Sequence, residues 1–354
     1  MPSLQGFSRQ QWTLLVAVIG VVAAAVAAVL VPVPYVILSP GPTLNTLGTG
    51  PGGRSLIQIS GHPTYQANGH LNLVTVSFQG GPSDSFNIFA ALRAWLTPHE
   101  AVVPEEELFG PGQTQQQVVR QDTQQMASSQ QTATAAALCV LGIKFITVDT
   151  VVTVEKGLPA EGALQRGDVI TAVDGTPVTC KQDAAPLIRA RAPGAPVTLT
   201  VRRTAGGQRI TRQVRLTTVN SGGRAVVGIA VAESYVFPFN VRIRVGDIGG
   251  PSAGLMFALG IVDKLTPGNL TAGRFVAGTG EIAADGTVSP IGGIQQKLVG
   301  ARDAGATIFL TPAANCPDTA GAVPPGLRLV KVSTLGDAVT ALKALAAGHD
   351  VPSC

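Results

Sequence analysis

Two residues of this 354-residue chain are of types that do chemistry together, Ser252 and Lys297. Ser252 lies in Gly249-Gly250-Pro251-Ser252-Ala253-Gly254, and the apolar run Leu255-Met256-Phe257-Ala258-Leu259 follows at once. A Ser before a helix is ordinarily an N-cap whose hydroxyl accepts a backbone N–H. Here Gly249, Gly250 and Gly254 clear side chains from around it and leave room for a peptide backbone. A helix N-terminus also offers unpaired N–H groups and the positive end of the helix dipole, which suits a developing oxyanion. The N–H groups placed for that task are those of Gly250, Ser252 and Ala253.

Lys297 sits in the helix expected after Gly293. Ile294, Leu298 and Ala301 form an apolar stripe at i, i+4 and i+7, and Lys297 at i+3 falls inside it. A Lys on the buried side is costly unless it is paired or loses its proton. Burial lowers a Lys pKa from its usual value of about 10.4, and the neutral amine can take the proton of a Ser hydroxyl. A Lys whose stem lies along the helix while its ammonium reaches water fits the same pattern. Neither residue decides the matter alone. Together they describe a Ser–Lys dyad.

The elements that must position this pair follow from the patterning. Phe239 to Val245 alternates as a strand, and the apolar run after Ser252 reads as a buried helix. Phe275 to Gly293 reads as a hairpin turning at Asp285-Gly286, and Thr307 to Pro312 and Arg328 to Thr334 as strands. A helix from Leu335 closes the segment, capped by Ser333 or Thr334. Upstream, Ser55 to Phe78 suggests strands, and the Ala-rich stretch Met126 to Leu141 a helix ended by Gly142. Between them, residues 142–233 read as a compact β-rich unit with a short helix within Leu158–Gly167, another at Ala185–Ala192, and a hairpin around Ala205-Gly206-Gly207.

The amino-terminal segment is of another kind. Leu14 to Val31 holds 18 residues without a charge, with Trp12 and Tyr35 at its ends. That length nearly crosses a hydrocarbon core. A cleaved signal peptide, with Ala25-Val26-Ala27 as its cleavage site, is the alternative. An uncleaved anchor gives residues 1–11 as a cytoplasmic N-terminus, 12–34 as a single-pass span and 35–54 as a Pro/Gly/Thr-rich linker, with the rest of the chain extracytoplasmic. Cys139, Cys180, Cys316 and Cys354 have no metal-knuckle or Cys-x-x-Cys spacing. Outside the cytoplasm the pairings 139–180 and 316–354 are compatible with the spacing, which does not by itself fix connectivity.

Residues 142–233 resemble a PDZ domain of the bacterial type. Pro159-Ala160, Gly162, Leu164, Gly167-Asp168-Val169-Ile170 and Val173-Asp174-Gly175 carry the resemblance. It implies capture of protein or peptide substrates as an added strand, with Gly142, Ile143 and Phe145 in the loop that holds the peptide's carboxylate. Pro251-Ser252-Ala253-Gly254, Thr279-Gly280-Glu281-Ile282, Gly286, Pro290-Ile291-Gly292-Gly293, Lys297-Leu298 and Ala304-Gly305 resemble, in order and spacing, the proteolytic domain of Lon proteases, over residues 236–347. That resemblance implies Ser252 as nucleophile, Lys297 as general base, Thr279 orienting the Lys, Glu281 in a supporting role, and a homo-oligomeric ring. Lon proteins usually carry an Asp two residues before the Pro, where this chain has Gly249; Asp247 stands two residues further back. Gly69-His70-Leu71-Asn72-Leu73 and Met126-Ala127-Ser128-Ser129 look like the earlier half of the same domain, over residues 55–141, with the PDZ unit inserted in it. The order of parts is similar to the membrane-anchored bacterial PDZ–Lon family.

The expected architecture is therefore α+β: an N-terminal transmembrane helix, a β-rich PDZ domain and a Lon-like proteolytic domain. No G-x-x-x-x-G-K-[ST] occurs, so an ATPase motor is not expected. His62, His70, His99 and His349 form no HExxH, and neither a metal nor a cofactor is expected. Net charge is +4 with no massed basic run, so nucleic acid is not an expected partner. The reading is an ATP-independent serine endopeptidase; a proteolytically inactive PDZ scaffold on a Lon-like fold is the alternative.

Overall fold

The computed structural model describes residues 9–82, 86–246 and 248–354. Residues 1–8 of the expected cytoplasmic N-terminus, and Asp247, lie outside them. The chain begins with α1 (Arg9–Leu30), none of whose residues is buried. This helix is long and apolar enough to cross a membrane, with a mean hydropathy of 2.8, a property a signal sequence shares.

β1 (Tyr35–Asn45) overturns the expectation of a linker at 35–54. It pairs antiparallel with both β3 (His70–Gly80) and β4 (Ala101–Pro104), after β2 (Ile57–Ser60). Pro40-Gly41-Pro42 suggested a linker because Pro cannot donate to a ladder. The strand absorbs them as an irregularity between Pro40 and Thr43, where the register shifts. Between β3 and β4 lies α2 (Ile88–Leu96); α3 (Glu105–Leu108) then leads to α4 (Gln115–Val140). α4 starts well before the Ala-rich stretch, at a capping box of Thr114 and Gln117. Gln propagates a helix nearly as well as Leu, so a proper cap suffices to start it there.

The β-rich unit leaves from the end of α4. It comprises β5 (Ile146–Val154), β6 (Val169–Val173), β7 (Thr176–Pro177), α5 (Ala184–Arg189), β8 (Pro196–Ala205), β9 (Gln208–Thr217), β10 (Val219–Ser221), β11 (Arg224–Val226) and β12 (Ile229–Val236). The helix expected within Leu158–Gly167 is instead a pair of turns. The strands run in the order β12-β5-β6-β8-β9 and enclose a core of their own, built on Val151, Ile170, Val173, Leu199 and Val201.

The chain then returns through β13 (Asn240–Ile243), α6 (Gly254–Leu265), β14 (Phe275–Gly278), β15 (Glu281–Ile282), β16 (Val288–Ser289), α7 (Ile294–Asp303), β17 (Ile308–Pro312), β18 (Arg328–Val332) and α8 (Leu335–Ala346). The second six-stranded sheet has the order β18-β17-β14-β3-β1-β4. Its parallel half runs from β18 to β3, joined to the earlier segment where β14 meets β3 from Phe275↔His70 to Gly278↔Leu73. Strand alternation sorts the side chains. Leu71, Leu73, Val276, Ile308, Leu310, Val330 and Val332 face α4, α6 and α8, while Val74, Ala277, Phe309 and Leu329 face α7. Segments from both sides of the β-rich unit thus share one sheet and one core. Two disulfides are formed, Cys139–Cys180 and Cys316–Cys354. The first ties α4 to the β-rich unit.

Candidate active site

α6 is apolar on every side and buried along its length, which fixes the turn Pro251–Ala253 at its start. α7 begins after Gly293, whose φ is +66° and whose Cβ, if it had one, would come 2.7 Å from Val76 Cγ2. Only glycine meets both demands, and the first turn of α7 then carries Lys297 to Ser252. Lys297 Nζ lies 2.8 Å from Ser252 Oγ and 2.9 Å from Thr279 Oγ1. Lys297 is 3% exposed, and among the described residues it has no carboxylate partner. Burial pushes its pKa down to about 7.

Hydroxyl bookkeeping sets the direction of the proton. Thr279 Oγ1 donates to the Ser252 carbonyl at 3.0 Å, and its single hydrogen is then spent. Toward Lys297 it can only accept. One N–H of a neutral Lys297 is thereby fixed on Thr279, and its lone pair can face the Ser252 hydroxyl. Gly280 N–H also donates to the Ser252 carbonyl, at 2.8 Å. Thr279→Val keeps the shape and removes this link, so we expect kcat/KM to fall by roughly 10- to 100-fold, within the usual range for a lost positioning contact. Steady-state kinetics beside a thermal melt would check it.

Of the three N–H groups expected to hold an oxyanion, Gly250's is engaged, donating to the Asp122 carbonyl at 3.4 Å. Those of Ser252 and Ala253 donate to no group among the described residues. Glu281 does not join the pair: its side chain is exposed on β15 and, among the described residues, makes no hydrogen bond or ion pair. Alternation on β15 buries Ile282 and leaves Glu281 exposed, so the expected supporting role has no contact to Ser252 or Lys297 behind it among the described residues.

Two residues of α4 complete the site; Asp122 did not stand out in the sequence, and Ser129 did so only within the Met126–Ser129 resemblance, with no role attached. Ser129 Oγ, buried, donates to the Pro251 carbonyl at 3.0 Å. Asp122 lies against Gly249, where an added Cβ would fall 2.6 Å from Asp122 Cβ and 3.4 Å from its Oδ2. Asp122 thus occupies the space into which any side chain larger than glycine's at 249 would project. Burial raises the Asp122 pKa. The signal was indirect: a glycine in place of an acid leaves room that some other side chain must fill. Gly249→Asp should therefore lower activity and stability, by crowding Asp122 and placing a like charge beside it, and Asp122→Ala in the same chain should restore part of the loss. A cleft of about 490 Å³ runs beside Ser252 and Lys297, with Leu38, Val76, Phe78 and Phe109 as its apolar wall and Asp122 at its edge.

Residues 242–343 match the Lon protease (S16) C-terminal proteolytic domain, and residues 139–216 match the PDZ domain. The chain carries a PDZ domain and a Lon-type proteolytic domain. The Lon protease of Roseiflexus castenholzii is 36% identical over 105 residues, which cover 29% of this chain and 13% of that protein. Lon protease 2 of Thermus thermophilus is 42% identical over 79 residues, covering 22% and 10%. The chain thus spans a small part of these relatives' length. The PDZ domain of the SdrC-like protein of Listeria innocua is 26% identical, covering 24% of this chain and 92% of that one, with a TM-score of 0.21.

Within the PDZ domain the expected carboxylate loop is not available. Gly142 and Ile143 donate their N–H groups to the Cys139 and Leu138 carbonyls, which closes α4. The Phe145 ring packs against Tyr235 and Phe237. A stretch that precedes a strand resembled a binding loop, but helix termination consumes its donors. The sheet has two open edges, β9 and β12, and among the described residues β12 pairs only with β5. Between β12 and α5 lies a cavity of about 340 Å³ lined by Ile188, Arg189, Val227, Ile229 and Glu233. That edge and cavity form a groove of the kind that takes an added strand.

Proposed function

We propose that this protein is a membrane-anchored, ATP-independent serine endopeptidase working through Ser252 and Lys297. The contact that carries the reading is Lys297 Nζ to Ser252 Oγ at 2.8 Å, inside surroundings that disfavour the ammonium. Ser252 Oγ attacks the scissile carbonyl carbon while its proton passes to the Lys297 lone pair. The Ser252 and Ala253 N–H groups hold the oxyanion. Lys297 returns the proton to the leaving amine, and the C–N bond breaks to leave an ester on Ser252. A water molecule gives a proton to Lys297 and attacks the ester carbon; as the C–O bond to Ser252 breaks and the acid leaves, Lys297 passes that proton to Ser252 Oγ, which restores the neutral pair. Asp122 stands in for the acid that Lon proteins usually carry before the Pro-Ser-Ala-Gly turn.

The PDZ domain would capture extended or C-terminal segments of envelope proteins along β12, and the Cys139–Cys180 bond keeps it beside the proteolytic domain. An extracytoplasmic location is supported by α1 and by two disulfides, since such bonds persist in oxidising compartments. ATP independence rests on the lack of a P-loop motif in the sequence. The Lon resemblance supports a homo-oligomeric ring. An inactive PDZ scaffold drew its support from Gly249, and Asp122 fills that gap.

The test is digestion of an unfolded protein by the full chain in nucleotide-free buffer, beside Ser252→Ala. Wild type should cleave and the variant should not. Equal cleavage by both, or none by either, would refute the reading.

A further inference from the structure

α2 is built inside out for a helix on a water-soluble surface. Its small residues Ala91 and Ala94 are buried against Ile37 and Phe86. Its large apolar residues point outward: Phe89 is 51% exposed, Leu92 45%, Trp95 74% and Leu96 78%. They recur at i, i+3, i+6 and i+7, so they form one stripe. Single exposed hydrophobes are ordinary, but a contiguous patch of this size marks a surface that meets something apolar.

The position of α2 says what it meets. α1 ends at Leu30, and the next residues are bonded to the start of α2. Pro32 forms a β-bridge with Asn87, and Val33 N–H donates to the Phe86 carbonyl at 3.1 Å. Asn87 is the N-cap of α2, its side chain accepting from Ala90 N–H at 3.1 Å. α1 and α2 are also in contact. The stripe therefore begins at the exit of the apolar span, at the level of the lipid headgroups if that span crosses a bilayer. Its residues suit that level. Trp95 is of the type enriched at membrane–water interfaces, and exposed Arg93 can reach anionic headgroups beside it.

We propose that α2 is an interfacial helix, its Phe89–Leu92–Trp95–Leu96 face immersed in the lipid beside the exit of α1, so that the proteolytic domain is held flat against the bilayer. The proposal rests on α1 spanning the membrane. A second copy of the chain is the rival occupant of the stripe, and bilayer chemistry is favoured because α1 fixes the stripe next to lipid.

The chain's two Trp residues, Trp12 in α1 and Trp95 in α2, make the test direct. The full chain with Trp12→Phe reports Trp95 alone, and with Trp95→Phe it reports Trp12 alone. Each is reconstituted into vesicles of zwitterionic and anionic phospholipid, with bromines on the acyl chain near the glycerol, roughly 5–10 Å below the headgroup boundary. We expect both Trp residues to be quenched by brominated lipid, and Trp95 to lose its accessibility to aqueous acrylamide on reconstitution. If Trp12 is quenched and Trp95 is not, α2 is not in the lipid and the proposal falls while the anchor stands. Acrylamide shielding of Trp95 without lipid quenching means that protein covers the stripe, which also overturns it. If Trp12 is not quenched, the span itself is refuted, and the interfacial helix with it.

Discussion

Replacing Lys297 by Met is expected to lower kcat/KM by at least ~10³-fold while leaving the protein as stable as wild type or more so. Met has nearly the length and volume of the Lys stem and needs no hydrogen bond. It fills the space between Ser252 and Thr279 but offers no lone pair. Without a base, Ser252 keeps its proton and is a poor nucleophile. The stability arm follows from the same burial. Unfolded Lys297 titrates near 10.4, whereas folded Lys297 titrates near 7. Between those pH values the unfolded state binds a proton that the folded state lacks, so this residue makes stability rise with pH across the window. Below about pH 7 both states are protonated and the folded protein carries the full penalty of a buried ammonium. Met removes that penalty. The variant's gain in Tm should be largest at pH 6 and shrink toward pH 10. A loss of activity accompanied by unfolding would point instead to a structural Lys.

The second large effect is on the pH profile. Only neutral Lys297 can take the Ser252 proton, so kcat/KM should climb along an acidic limb with an apparent pKa of about 7. One ionisation gives a tenfold loss per pH unit below it, so activity at pH 5 should be about 100-fold under the plateau. Asp183, at the start of the PDZ helix α5, is also pushed up to about 7, by burial first and then by Glu233, Asp149 and Asp285. It lies outside the site, so Asp183→Asn should leave the acidic limb of a short peptide substrate where it is. A limb that moves with Asp183→Asn would assign it to the wrong residue. A flat profile from pH 5 to 8 would contradict a Lys base altogether.

The parts of the site that were legible in the sequence share a physical cause. Ser252 and Lys297 each break a local rule: one puts a hydroxyl in a glycine-cleared turn, the other puts a cation in an apolar stripe. Residues that break local rules point to function. Thr279 was legible through the resemblance, although its grip on the Ser252 carbonyl was not, because that bond joins residues 27 positions apart. Asp122, and the role of Ser129, were illegible for the same reason. They come from a helix whose glutamines and alanines carry no chemical signal, and Ser129 meets its partner across 122 positions. The fold shows the same division. Alternation marked β3 and the hairpins, whereas Pro40-Gly41-Pro42 disguised β1, a strand set between two partners that override its poor propensity. The carboxylate loop was misplaced because sequence cannot show that closing α4 uses the Gly142 and Ile143 N–H groups.

The most direct test of the account is to identify the atom that becomes acylated. The full chain is mixed with an activated ester at pH 8, quenched in acid within one turnover and digested, and the acyl group is located by mass spectrometry. The account predicts one acyl group, on Ser252, in wild type, and none in Lys297→Met. An acyl group on another residue, or equal labelling of Ser252 in both proteins, would contradict it.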